Sequence, residues 1–158
     1  MPHFLNFLKK KLPEQQFRII MPLFIGKIKI DITEDEFLEK KDYSYTDLLR
    51  DRPIPDVDGI IIGINFQKIE NYSDIREDLW KHLFLRVKEG IPISIIYKDN
   101  VLTKAEVSEI LGLYRLNANP WLVTSEQEEG VKWLLDVATI VAAIKKREKE
   151  KKEKQMNQ

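Results

Sequence analysis

The sequence predicts an α/β protein: a mostly parallel sheet with one antiparallel edge hairpin and helices on both faces. Three observations carry that prediction. Ile91–Leu102 (IPISIIYKDNVL) and Val57–Asn65 (VDGIIIGIN) are short, β-branched runs, apolar on both alternating faces, as in strands buried on both sides of a sheet. Each is followed by an amphipathic helical stretch, and a further apolar run, Trp121–Thr124, comes after the second. Strand and helix alternating in this way imply parallel strands joined by right-handed crossovers. Ligands of such sheets bind where the strands end, so the polar Lys98-Asp99-Asn100 behind the central run marks the edge at which a site is expected.

Length and composition set the bounds. The 158 residues suit one domain with a full-sized core, and 43% apolar with 33% charged residues is ordinary for a soluble globular chain. A formal net charge of zero gives no whole-molecule attraction to nucleic acid or membrane. There is no cysteine, which excludes disulfides, thiolate metal sites and cysteine nucleophiles. No apolar run approaches the roughly 18–20 residues of a membrane span, and no signal peptide is visible, so a cytoplasmic protein is expected. The neutrality hides an asymmetry. Lys145–Lys154 (KKREKEKKEK) holds seven basic and three acidic residues, leaving an equal negative excess on the rest. A domain over 1–144 is therefore expected to be followed, over 145–158, by a solvated helical tail that frays into disorder.

In chain order, His3–Leu12 (HFLNFLKKKL) places Phe4, Leu5, Phe7, Leu8 and Leu12 on one helical stripe opposite lysines. This is an amphipathic helix for packing on the sheet, with a membrane surface as its other use. Phe17–Phe24 and Lys27–Ile32 (KIKIDI), separated by Ile25-Gly26, read as the hairpin. Pro22 assigns its first strand to an edge, and the strict alternation of Ile28, Ile30 and Ile32 faces a core. Thr33–Asp58 is polar and acidic, with a helical turn over Tyr45–Arg50. A helix runs from an N-cap at Ser73 to Lys88, with Ile75, Leu79, Leu83 and Val87 inward, His82 off that stripe and Gly90 closing it. Thr103-Lys104-Ala105-Glu106 is a capping box ahead of the helix Ala105–Leu111; Ser125-Glu126-Gln127-Glu128 is a second, opening a last helix from about Glu129.

Taken together, these stretches resemble the small GTPases of the Ras superfamily, nearest the Arf-like branch, over roughly Gly26 to Ile144. VDGIIIGIN is similar to the family's fourth strand, EDLWKHLF to the helix after it, and IPISIIYKDNVL to the strand carrying the guanine-reading "NKxD" motif. EVSEILGL resembles the Arf-like helix that follows, and TSEQEEGVKWLL the family's ending. The resemblance implies a three-layer small-GTPase-like (P-loop NTPase-type) domain. No motif is intact. The chain has no GxxxxGK[ST]; Gly26-Lys27 is its one Gly-Lys pair and Ile28 follows it. HFLNFLKKKL resembles the helix after the phosphate loop, so the first family strand is expected to be missing, its place filled by direct pairing or by a strand donated from a partner; Phe17–Phe24 is disfavoured there because Pro22 would then sit in a central strand. KIKIDITE resembles the strand ending in "DxxG", with Asp31 at the aspartate and Glu34 at the glycine. Lys98 keeps its place in "NKxD", but Asn100 replaces the aspartate whose carboxylate accepts from guanine. Ser125 is retained in the last motif.

The resemblance implies a pseudo-GTPase: a G-domain-like interaction or regulatory module without independent GTP hydrolysis and with no predicted cofactor. Lys98, Asn100, Ser125 and Asp31 are its vestigial nucleotide positions, and Tyr43, Tyr45 and Ile54 its candidate contacts to protein partners. The alternative is an Arf-like GTP-binding protein, taking GTP or GDP with Mg²⁺, whose phosphate loop comes from an upstream segment or another chain. Glutamates interspersed among the tail lysines argue against nucleic acid as a partner.

Overall fold

The computed structural model describes residues 17–157, and the predicted helix at His3–Leu12 lies outside them. Five strands form one sheet: β1 (Arg18–Ile25), β2 (Leu38–Lys40), β3 (Gly59–Asn65), β4 (Ile93–Lys98) and β5 (Trp121–Thr124). Their order is β2-β1-β3-β4-β5 and every pairing is parallel. Among the described residues four α-helices accompany them: α1 (Tyr45–Leu49), α2 (Tyr72–Leu79, continued by a π turn over Trp80–Phe84), α3 (Lys104–Ile110) and α4 (Gln127–Met156). One face of the sheet, with Ile60, Ile62, Ile64, Ile93 and Ile95, packs on Leu48, Leu79, Leu83 and Val107 from α1–α3. The other, with Ile20, Ile61 and Ile96, packs on Leu134 of α4 and on Ile30 and Ile32. The alternation in the two runs read as buried strands thus divides cleanly between the faces.

The expected antiparallel hairpin does not form. β1 runs mid-sheet, parallel to both neighbours, with Ile20 opposite Lys40 on one side and Gly59 on the other. The sheet is continuous through β1, which lies between β2 and β3. Pro22, expected to force an edge, is accommodated by parity. Arg18 N–H donates to Phe37 and the Ile20 carbonyl accepts from Lys41, so even-numbered residues of β1 face β2. β2 pairs only as far as Ile20. The N–H that Pro22 lacks points past its end, and no ladder bond is lost.

Lys27–Ile32 keeps its predicted alternation but is not a strand. It lies across the α4 face, where Gly63 leaves room. A Cβ built on Gly63 would come within 2.7 Å of Ile30 Cδ1 and 3.1 Å of Ile28 Cγ2. Period two is shared by a paired strand and an extended segment laid on a sheet, and here the missing side chain selects the second.

Smaller corrections concern helix ends and the tail. The Thr103–Glu106 capping box is present, but the N-cap of α2 is Asn71, whose side-chain Oδ1 accepts from the Ser73 and Asp74 amides. The Ser125 box is not made: α4 starts at Gln127 behind Glu126, which gives no side-chain cap bond. Thr124 Oγ1 instead accepts from the Glu126 amide at 3.1 Å. The tail expected to fray continues α4 as an exposed helix to Met156. Glu148 and Glu150 stand four residues ahead of Lys152 and Lys154, a spacing that supports a solvated helix. Among the described residues no helix is long and apolar enough to cross a membrane.

Candidate functional site

In this strand order the chain leaves β1 toward one side of the sheet and β3 toward the other. A crevice at the carboxyl ends of two such strands is the usual ligand position in open α/β sheets. Here the turn after β1 fills it. Gly26 and Lys27 both adopt positive φ, +78° and +47°. A Cβ on Gly26 would sit 2.8 Å from the Asn65 carbonyl oxygen, so this position requires glycine sterically as well as conformationally. Asn65 is buried at the end of β3; its Nδ2 donates to the Lys27 carbonyl at 3.4 Å and its Oδ1 accepts from the Gln67 amide at 3.1 Å. Two residues on, the Lys29 carbonyl accepts from Gln127 Nε2 of α4 at 2.9 Å.

Between this turn and the ends of β4 and β5 lies a cleft of about 480 Å³, lined by Lys27, Lys29, Lys98, Asp99, Ser125 and Gln127 over a floor of Ile28, Ile96 and Tyr97. Asp99 is committed to its own turn: Oδ2 accepts from the Val101 amide at 2.9 Å and the Leu102 amide at 2.7 Å. Tyr97, buried, donates its hydroxyl to the Leu102 carbonyl at 3.3 Å, so the loop after β4 is closed on itself.

Of the four positions expected at a nucleotide, Lys98 and Ser125 share this cleft. Asn100 is exposed in the turn behind Asp99 and does not line it. Asp31 is not at a strand end; it borders a separate groove with Val131 and Lys132 of α4. Glu34 is exposed, with Oε1 accepting from the Lys40 amide at 3.0 Å.

The three expected partner contacts are engaged within the fold. Tyr43 is turned inward, only 6% exposed, and donates its hydroxyl to the Arg52 carbonyl at 2.6 Å; burial raises its pKa. Tyr45 donates to the Asp78 carboxylate, and burial, followed by that hydrogen bond, raises its pKa well above the usual phenol value. Ile54 is half-buried against the core. His82, read as off the buried stripe, is also interior: the π turn rotates it inward, and Nδ1 lies 2.6 Å from Asp51 Oδ1. That hydrogen bond is the main cause holding the Asp51 carboxyl below its ordinary pKa; Arg86, 3.4 Å away, acts in the same direction.

The residues that sequence reasoning missed in the cleft are Lys27, Lys29 and Gln127. A signal existed for the first, since Gly26-Lys27 follows an apolar run. Gln127 reaches Lys29 across 98 positions of chain, which no local pattern encodes. A larger hollow, about 610 Å³, lies between α2 and α3 beside Trp80 and Tyr114, away from the strand ends. Among the described residues no cluster of three or more His, Asp or Glu side chains is placed to hold a metal ion. Compared with known proteins, the chain matches no protein-family model and no curated protein.

Proposed function

We propose that this chain is a G-domain-like interaction or regulatory module that does not hydrolyse GTP by itself. One observation carries the reading: the path of the chain beyond β1. In small GTPases the strand ahead of the phosphate loop sits mid-sheet, and β1, between β2 and β3, has that place. Phosphate binding there needs a ring of free backbone amides running into a helix N-terminus. The chain instead makes the Gly26–Lys27 turn and then lays Ile28 and Ile30 across the sheet face. Asn100, which would have to meet the guanine edge, stands outside the cleft that Lys98 and Ser125 share. These residues do not fit a guanine nucleotide with Mg²⁺.

The partner surface is set by the residues that the fold leaves outside. The stretch 33–56 keeps Glu34, Asp35, Glu36, Asp42 and Leu49 exposed around the inward Tyr43. A stretch whose exposed acidic residues outnumber its exposed basic ones, Lys41, Arg50 and Arg52, and which carries one exposed leucine suits a basic protein partner with an apolar anchor. Titration of the full chain with mant-GTP and mant-GDP in the presence of Mg²⁺ tests the reading. No saturable binding is expected up to high micromolar nucleotide. Saturable low-micromolar uptake would overturn it in favour of the GTP-binding alternative.

A further inference from the structure

We propose that the extended segment from Ile28 to Ile32 is a self-association surface, along which a second copy of this chain pairs antiparallel with Ile30 opposite Ile30. The proposal goes beyond the function proposed above and does not rest on it. Its first support is an incomplete set of main-chain hydrogen bonds. Among the described residues, no main-chain N–H from Lys27 to Glu34 donates a hydrogen bond, and only the Lys27 and Lys29 carbonyls accept one. Ile30 and Ile32 are nevertheless buried, each only 6% exposed. Peptide groups so far removed from water are almost always paired. A run of unpaired ones in extended backbone is a template for another strand.

The direction of those groups is fixed by the one bond the segment makes to α4. Along the segment Ile28, Ile30 and Ile32 turn inward, while Lys29, Asp31 and Thr33 are exposed. In such backbone the N–H and C=O of one residue point to one side and those of the next residue to the other. The Lys29 carbonyl meets Gln127 of α4 at 2.9 Å. The main-chain groups of Ile28, Ile30 and Ile32 therefore face away from α4. Since α4 packs chiefly over β3, β4 and β5, their free side is the side of β1. Phe24 of β1 adjoins it: a Cβ built on Gly63 would meet Ile30, Phe24 and Ile28 at 2.7, 2.9 and 3.1 Å. Phe24 is 38% exposed there. An open main-chain edge thus lies beside an exposed aromatic ring, a combination that a second strand would cover.

The segment is complementary to itself in one register, which identifies the occupant. Pairing about Ile30 sets Ile28 opposite Ile32, so the outward groups of each copy meet those of the other. It also sets Lys29 opposite Asp31, twice by two-fold symmetry. That pair falls at a position without ladder bonds, where Cα atoms approach to about 4.5 Å and side chains are closest. The two neighbouring antiparallel registers with the same groups inward set Lys29 against Lys29 or Asp31 against Asp31. Opposite charges directly across an antiparallel pair stabilise it and like charges destabilise it, so charge alone selects the Ile30-centred register.

Sedimentation equilibrium of the full chain at low salt, from micromolar to near-millimolar concentration, tests this. A reversible dimer is expected. Lys29→Asp and Asp31→Lys each turn both cross-strand pairs into like charges, and each is expected to weaken the dimer about thirtyfold, or about 1 kcal/mol per pair. Both side chains are exposed, so the variants should keep the wild-type circular dichroism spectrum. An equimolar mixture of the two variants should associate about as tightly as wild type, because opposite charges face one another again. In the concentrated wild-type protein, amide exchange should slow at Ile28, Ile30 and Ile32 relative to the dilute protein, and not at Lys29 and Asp31. A monomer at every concentration would overturn the proposal. So would a dimer that either variant leaves intact, a mixture that fails to associate, or slowed exchange at Lys29 and Asp31 instead.

Discussion

The turn after β1 gives the sharpest test of the structure, because the chain supplies its own control. Gly26 and Gly90 have similar positive φ, +78° and +87°. A Cβ on Gly90 meets nothing within 4 Å, whereas one on Gly26 lies 2.8 Å from the Asn65 carbonyl oxygen. Gly90→Ala therefore measures the conformational penalty alone, about 1–2 kcal/mol for an L-residue in the left-handed region. Gly26→Ala adds a steric term. The obstructing atom is main-chain oxygen at the end of a central strand, so relief requires a backbone shift costing a further 1–3 kcal/mol or so. The total expected for Gly26→Ala is about 2–5 kcal/mol. Urea denaturation of both variants gives the comparison, with unchanged m-values confirming that the unfolded states are alike. If the two glycines cost the same within about 0.5 kcal/mol, the usual resolution of such differences, the β1 turn does not press on β3.

Other consequences are as direct. Trp80→Phe removes the indole bond to the Leu111 carbonyl (2.7 Å) at the end of α3. It is expected to destabilise by about 1 kcal/mol in urea, the net worth of a typical hydrogen bond; no change would mean the carbonyl finds another donor. The Asp51 carboxyl has a lowered pKa in the folded state, chiefly through its bond to His82. Its contribution is therefore complete above the unfolded value, near pH 4, and lost as pH falls through the lower folded value. Asp51→Asn should accordingly lower stability at neutral pH and flatten its decline below pH 4; parallel wild-type and variant curves would refute this. Deleting residues 145–158 should leave the urea midpoint unchanged, since those described are exposed throughout. A loss above about 1 kcal/mol would show tail contacts with the domain.

The readings that held depend on neighbours in sequence. The β-branched runs of β3 and β4 could be assigned from composition, because a strand buried on both faces has no place for polar residues. The Thr103–Glu106 box is likewise legible, since both of its hydrogen bonds close within four residues. Lys98 and Ser125, singled out by the resemblance, both line one cleft at the strand ends.

Sequence alone determined the alternation of strands and helices from β3 onward, the identity of the two central runs and the edge at which polar residues gather, all consequences of local periodicity. Tertiary structure alone decided that β1 lies mid-sheet and that Ile28 and Ile30 cover Gly63. It also decided that His82 meets Asp51 and that Lys27, Lys29 and Lys98 line one cleft. The physical reason is that alternation specifies only which side chains are buried. Which surface buries them depends on the length of a neighbour such as β2, on a missing side chain such as that of Gly63, and on bonds spanning most of the chain, as from Gln127 to Lys29.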